Sequence, residues 1–178
     1  YVWLDKFSIR NLELYGSNHE NGTCLADVID RSTTPMGARL LRRWMALPLK
    51  DTGAINERLE AVAYFLGNAE IRLELTTQLK EVGDLERLVS KVAAQRVNPR
   101  ELVQLKRSLA IVGSIKELLQ RSESGGLKKI ADQLNPCQVL FEKLDHEVNE
   151  DAPVNILKGN VIREGVNEEL DELRNIAF

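Results

Sequence analysis

The chain has 178 residues, of which 43% are hydrophobic and 29% charged, with a net charge of −3 and two cysteines. A chain of this size buries roughly 70% of its unfolded surface, so it forms one domain or one domain with an appendage. No apolar run reaches the roughly 18 residues of a membrane helix, the two cysteines are too few for a disulfide framework or zinc site, and the negative charge argues against general binding of phosphate backbones.

The first thirty residues predict a short strand and a short helix. Residues 3–15 alternate loosely between apolar and polar positions, which is typical of a strand, and residues 23–30 follow a polar loop as a helix. The opening YVWLDKF has the features of neither a signal peptide nor a transit peptide. We therefore expect a cytoplasmic protein, and the absence of an initial methionine suggests a segment of a longer one.

Residues 32–66 predict two amphipathic helices joined at a proline corner. Thr34 caps the first, Pro35 fits its first turn, Pro48 ends it and Asp51 caps the second. The apolar positions fall on one face of each helix: Met36, Leu40, Leu41, Trp44 and Met45 on the first, and Ile55, Leu59, Val62 and Leu66 on the second. We expect the Trp44 ring to be buried as a core anchor.

Three arginines flank the apolar face of the first helix and are the only candidate site residues. Arg39, Arg42 and Arg43 lie in a stretch without acids. They could contact phosphate or a neighbouring domain, or form salt bridges within the domain. Residues 96–122 are also basic, whereas residues 123–178 are acidic, and these stretches could complement each other within the fold.

The strongest helix start is Asn98-Pro99, where Glu101 completes a capping box. Before it, Gly67-Asn68 and Gly83-Asp84 each end one predicted helix and cap the next. Apolar residues then recur every three or four positions to about Gln120: Leu102, Leu105, Leu109, Val112, Ile115 and Leu119. A helix of that length is roughly 33 Å long, which suits a strut better than a pocket wall.

The last third of the chain predicts two more helices and a short β segment. A Ser/Gly break at 122–126 precedes a helix opened by Asn135-Pro136. Valine and isoleucine alternate with glycine through 154–165, which predicts a short strand or hairpin. Asn167 caps a final helix, apolar at Leu170, Leu173 and Phe178. The predicted fold is mainly α, with one long helix and one or two short β segments, near the N-terminus and around 154–165.

No motif for catalysis or cofactor binding occurs in the sequence. GxxxxGK[ST], GxGxxG, HExxH and CxxC are all absent, and His19 and His146 lie far apart. We therefore predict no catalytic, cofactor-binding or metal-binding residue in this chain.

Four segments in order resemble the core, or lever, domain (domain III) of the MutS family of DNA mismatch-repair ATPases. They are LDKFSIRNLEL, CLADVIDRSTTPMGARLLRRWMALPLKD, VGDLERLVSKVAAQRVNPRELVQLKRSL and NILKGNVIREGVNEELDELRN. The first segment resembles the mismatch-repair branch more than the MutS2 branch. No mismatch-contacting or ATP-binding residue of the family falls on this sequence.

The resemblance implies a domain organisation. Residues 1–166 would form the core domain, and residues 167–178 would start the helix leading to the clamp that closes over DNA. The family's mismatch-reading domain would precede Tyr1, and the clamp and nucleotide-binding domain would follow Phe178. ATP, Mg²⁺, mismatched duplex DNA, the clamp, ATPase and connector domains and a homodimeric partner would then belong to the full-length protein, which carries the ATPase activity.

Two functions are compatible with these features, and a third lacks the residues that it would need. The resemblance implies a non-catalytic lever that couples mismatched-DNA binding to ATP binding and hydrolysis. A stand-alone helical protein-interaction scaffold is the alternative. A helical enzyme with a site between its helices would need polar residues converging on apolar faces, and those faces carry Leu, Ile and Val instead.

Overall fold

The computed structural model describes residues 1–176, most of which are helical. Ten α-helices occur in this range: α1 Lys6–Asn11, α2 Leu25–Ile29, α3 Pro35–Ala46, α4 Thr52–Gly67, α5 Ala69–Glu81, α6 Leu85–Ala93, α7 Pro99–Gln120, α8 Gly125–Gln133, α9 Gln138–Glu147 and α10 Glu168–Ile176. Backbone pairing of the β type is limited, within these residues, to one antiparallel bridge between Val148 and Ile162. The prediction of a mainly α fold is confirmed.

Both predicted β segments are wrong. The N-terminal stretch forms α1, because the Asp5 carboxylate accepts a hydrogen bond from the Ser8 amide at 2.6 Å and caps a helix there. The 154–165 stretch forms a 3-10 turn at Ile156–Lys158, and only Ile162 makes a β-type bridge. Short alternating runs form strands only where a partner strand pairs along their length, and neither run has one in residues 1–176.

The predicted helix starts are confirmed by their caps. Thr34 accepts from the Gly37 amide at 3.0 Å, and Asp51 from the Ala54 amide at 2.8 Å. Asn98 and Glu101 exchange two bonds of 3.0 Å each, which is the capping box at the start of α7. Asn167 accepts from the Leu170 amide at 2.8 Å at the start of α10, whereas Phe178 lies outside the described residues.

Helix α8 was not predicted. It begins inside the Gly125-Gly126 pair, which signals a break rather than a start. Leu127 and Ala131 of this helix are nevertheless 2% and 0% exposed, so packing rather than helix propensity stabilises it.

The chain divides into two compact units. The first unit contains residues 1–80 and 118–132, and the second contains 81–117 and everything described from 133 onward. In the first unit the fully buried apolar residues lie in the N-terminal segment, at the end of α7 and in α8: Leu14, Cys24, Ala26, Leu118, Leu119, Leu127 and Ala131. Helices α3, α4 and α5 contain no fully buried residue.

The second unit has a continuous apolar core. It is formed by α6, α7, α9 and the segment after α9, through Leu88, Val103, Leu105, Leu109, Leu144, Val148 and Ala152. Ser108 is fully buried beside this core, where its hydroxyl accepts from the Gly83 amide at 3.0 Å and donates to the Gln104 carbonyl at 2.9 Å. These bonds satisfy a buried polar group that would otherwise be costly.

Of the four apolar residues that the sequence places on one face of α4, only Ile55 is half-buried. Leu59, Val62 and Leu66 are 58%, 55% and 69% exposed, and the half-buried positions are Ala54, Ile55, Arg58, Ala61, Tyr64 and Phe65. Both sets recur at helical spacing, so periodicity alone does not choose between them. Helix α4 is therefore apolar on two sides, one of which is uncovered in the described residues.

Candidate functional site

The three candidate arginines lie on α3 in the first unit, in three different environments. Arg39 is half-buried and already has an interaction partner, whereas Arg42 and Arg43 are exposed. The structure thus places the three on one helix without bringing them together around a single point.

Arg42 lies near the carboxylates of the α2 region. Asp27 accepts hydrogen bonds from the Cys24 thiol and amide, at 2.9 and 3.4 Å, and these bonds, with the Arg42 charge added, hold its pKa below the ordinary value. The pKa of Asp30 is lowered by hydrogen bonds from Ser32 and, more weakly, by Arg42. Arg42 therefore contributes to the electrostatics of its own unit.

The backbone of Arg42 also takes part in the packing of the first unit. The Tyr15 hydroxyl donates to the Arg42 carbonyl oxygen. Burial raises the pKa of Tyr15, and the Arg42 charge opposes that shift. This bond joins the loop after α1 to α3.

Arg43 lines a cavity of about 290 Å³ beside α3, together with Tyr1, Leu40, Trp44 and Leu47. The guanidinium carbon of Arg58 lies 3.6 Å from the centre of the Trp44 ring, a cation–π contact between α4 and α3. The lining combines one cation with aromatic and leucine side chains, and it contains no carboxylate, histidine or cysteine that would supply acid–base or nucleophilic chemistry.

The prediction that Trp44 is a buried core anchor is wrong. Trp44 is 40% exposed, and the guanidinium of Arg58 lies over one face of its ring. Leu40 of the same predicted face is 46% exposed and α3 contains no buried residue, so the amphipathic pattern did not give the depth of burial.

Replacing Trp44 with alanine is therefore expected to lower the free energy of unfolding by only about 1–2 kcal/mol, from partial loss of apolar burial and of the cation–π contact. Urea denaturation followed by circular dichroism measures the change. Trp3→Ala is the matched control, since Trp3 is 81% exposed and should change stability less. A loss above about 3 kcal/mol, typical of a buried aromatic, would contradict this geometry.

The second unit contains a charge cluster that was not predicted from the sequence, and we call it the Lys106 cluster: Lys106, Arg107, Asp145, Glu150 and Arg163. Lys106 is 7% exposed. Its Nζ donates to Asp145 Oδ1 at 3.0 Å and also to Glu150. Arg107 donates twice to Glu150 Oε1, from Nε at 2.9 Å and Nη2 at 2.6 Å. Arg163 Nη2 lies 3.9 Å from Asp145 Oδ1.

The cluster favours the charged forms of its members. Burial lowers the pKa of Lys106, but the hydrogen bonds and charges of Glu150 and Asp145 outweigh this and raise it overall. Hydrogen bonds from Lys106 and Arg107 lower the pKa of Glu150. The signal was present in the sequence, because Lys106 and Arg107 belong to the basic stretch and Asp145 and Glu150 to the acidic one.

No arrangement typical of a metal site occurs among residues 1–176, where no three His, Cys, Asp or Glu side chains lie close enough to share an ion. His19 and His146 are both exposed. In the same range, no helix combines the length and the apolar character needed to cross a membrane.

Comparison with known proteins identifies the family. A family model, MutS domain III, matches residues 8–177. The chain belongs to the MutS domain III family. It is 53% identical over 177 residues to the DNA mismatch repair protein MutS of Flavobacterium johnsoniae and 51% identical over 178 residues to that of Christiangramia forsetii.

These alignments include 99% and 100% of this chain but only 20% of each relative. The chain thus spans about a fifth of the length of the curated relatives it matches. The resemblance inferred from the four sequence segments is confirmed.

Proposed function

We propose that this chain is the helical lever domain of a DNA mismatch-repair ATPase, and that it couples mismatched-DNA binding to ATP binding and hydrolysis in the full-length protein. The observation that carries the proposal is α7, an uninterrupted helix of 22 residues. Buried side chains occur along most of its length: Val103, Leu105, Lys106, Ser108, Leu109, Ile115, Leu118 and Leu119. A helix held in this way is displaced as a rigid body, so it transmits motion rather than absorbing it.

ATP binding and hydrolysis would take place in other domains of the full-length protein. This chain has no phosphate-binding loop, so ATP and Mg²⁺ would be held by the ATPase domain of the full-length protein. Mismatched duplex DNA, a homodimeric partner, and the clamp, ATPase and connector domains would be its partners. The relatives are bacterial DNA mismatch repair proteins, and bacterial DNA lies in the cytoplasm, so the protein would act there.

Surface left uncovered within the first unit supports contacts with other domains. Leu59, Val62 and Leu66 of α4 are more than half exposed. Residues 1–166 would form the lever, and α10 would begin the helix leading to the clamp. Arg39, Arg42 and Arg43 remain predicted interdomain or phosphate contacts, and the position of Arg42 near Asp27 and Asp30 favours the alternative of pairing within the domain.

Breaking the rigidity of α7 tests the proposal in the full-length protein. Ala110 is exposed near the middle of α7, so Ala110→Pro removes no core contact but disrupts the helix, at a cost of about 3 kcal/mol or more. We expect mismatched DNA to bind normally and to lose its effect on ATP turnover, while turnover without DNA is unchanged. Ala110→Ser keeps the backbone N–H and serves as the matched control.

A milder second variant provides a test if the Ala110→Pro protein does not fold. Ala110→Gly with Ser114→Gly softens α7 at two exposed positions, at a cost of about 1 kcal/mol for the first and about 0.5 kcal/mol for the second. Melting curves establish that each variant is folded before its ATP turnover is measured. Full stimulation of turnover by mismatched DNA in folded Ala110→Pro protein would refute the lever function.

A protein-interaction scaffold is the second candidate, favoured by the exposed apolar side of α4. In that case Leu66→Asp would abolish binding to a partner, and Ala110→Pro would leave the response of ATP turnover to DNA intact. The two functions therefore predict opposite outcomes for the α7 variant.

A further inference from the structure

A continuous chain of polar contacts runs through the second unit from α7 to α10. Its first part is the Lys106 cluster, in which α7 is bound to Asp145 of α9 and to Glu150 just after α9. Lys106 is the buried member, whereas the side chains of Asp145 and Glu150 are 51% and 43% exposed. The cluster therefore fixes the end of α9 to one turn of α7.

The second part joins the end of α9 to the segment before α10. The Asn149 amide donates to the Val161 carbonyl at 2.8 Å, and the Arg163 amide donates to the Glu147 carbonyl at 2.9 Å. These two bonds flank the Val148–Ile162 bridge. Asn149 Nδ2 also donates to Asn160 Oδ1 at 2.8 Å. Two short backbone segments are thus held side by side without a sheet around them.

The third part joins this bridge to α10. Arg174 Nη2 donates to the Ile162 carbonyl at 2.7 Å, and Nη1 donates to Asp171 Oδ1 at 2.7 Å. The other oxygen of Asp171 accepts from the Gly165 amide at 2.7 Å. One carboxylate and one guanidinium of α10 therefore hold both ends of the 162–165 segment.

We propose that this chain of contacts, with Lys106 and Arg174 as its end positioning residues, is the element that makes α7 follow a displacement of α10. The inference rests on the proposed lever function and names the residues that would carry it. Apolar contacts allow sliding with little directional preference, whereas charge-assisted hydrogen bonds fix both distance and direction. The polar chain therefore defines a register between the two helices that the apolar core alone does not.

Replacing Lys106 or Arg174 should break the series of polar contacts without unfolding the unit. Lys106→Met keeps the length and the apolar stem of the side chain, and the carboxylates it leaves behind are already in contact with water and with Arg107 and Arg163. Arg174→Met removes the contacts to Ile162 and Asp171. Lys143→Met, at an exposed position on α9 outside the chain of contacts, is the matched control.

The experiment uses the full-length protein and two readouts. Hydrogen exchange measures the amides of Asn149 and Arg163, which we expect to exchange about tenfold faster in Lys106→Met protein than in the control. Stimulation of ATP turnover by mismatched DNA should fall about fivefold or more in each single variant, with unstimulated turnover unchanged. The double variant should lose no more than a single one, since one break already opens the chain.

The outcomes separate this inference from the lever function. The inference would be overturned if the Asn149 and Arg163 amides exchanged at an unchanged rate in Lys106→Met protein. It would also be overturned if the two single-variant losses of DNA-stimulated ATP turnover multiplied in the double variant. Full stimulation in both single variants, with stimulation abolished by Ala110→Pro, would overturn it and leave the lever function standing. Full stimulation in all of these variants would refute the lever function and the inference with it.

Discussion

Replacing Leu127 with alanine is expected to lower the free energy of unfolding of the first unit by about 2–5 kcal/mol. Leu127 is 2% exposed and lies on α8 one turn from Ala131, which is fully buried. The loss combines the transfer of the deleted methyl groups to water with the cavity left behind. A value near the upper limit is expected, because the adjacent alanine has no flexible side chain to fill the space.

Leu66→Ala is the matched control in the same unit. Leu66 is 69% exposed, so the same substitution should change stability by less than about 0.5 kcal/mol. Urea denaturation of the isolated chain, followed by circular dichroism, compares the two variants. Equal losses for both would show that α8 is not part of the core of this unit.

Reversing the charge of Lys106 is expected to have a similarly large effect on the second unit. Lys106→Glu would place a third carboxylate beside Asp145 and Glu150 at a position that is only 7% exposed. A carboxylate held out of water without a counter-charge costs several kcal/mol, and repulsion from Asp145 and Glu150 adds to it. We expect the second unit to melt at markedly lower temperature.

Arg107→Glu provides a stringent control, since it reverses the charge of the next residue, which binds the same Glu150. The Arg107 side chain is 63% exposed, so water and salt screen its interaction and the expected loss is about 1 kcal/mol or less. Thermal melts at low and high salt compare the two. Similar losses for the two variants would contradict the burial of Lys106 as the source of the difference.

Local signals predicted the helices well because the interactions that start a helix lie within four residues. The Asn98–Glu101 capping box and the caps at Thr34 and Asp51 need only the neighbouring backbone, and all three formed as the sequence indicated. Family membership followed from the order of four segments. The prediction of an N-terminal strand was wrong because a strand needs a distant partner strand, which local alternation does not reveal.

Burial was the property that local patterns predicted least well. Trp44 and the Leu59, Val62 and Leu66 face of α4 have suitable helical spacing, yet the structure leaves them substantially exposed. An amphipathic pattern gives the direction of an apolar face but not what lies opposite it. For α4 the two apolar sides were equivalent in sequence, and only packing distinguished them.

The sequence by itself determined the helical class, the length and start of α7 and the relation to MutS domain III, because capping and helical periodicity act over a few residues. Only the tertiary structure decided that Lys106 is buried and that its partners are Asp145 and Glu150. These acids lie 39 and 44 residues after Lys106 in the sequence. Separate basic and acidic stretches indicate that charges can pair. Which charges meet depends on how distant helices pack, and that is set by the apolar core around Leu105 and Leu109.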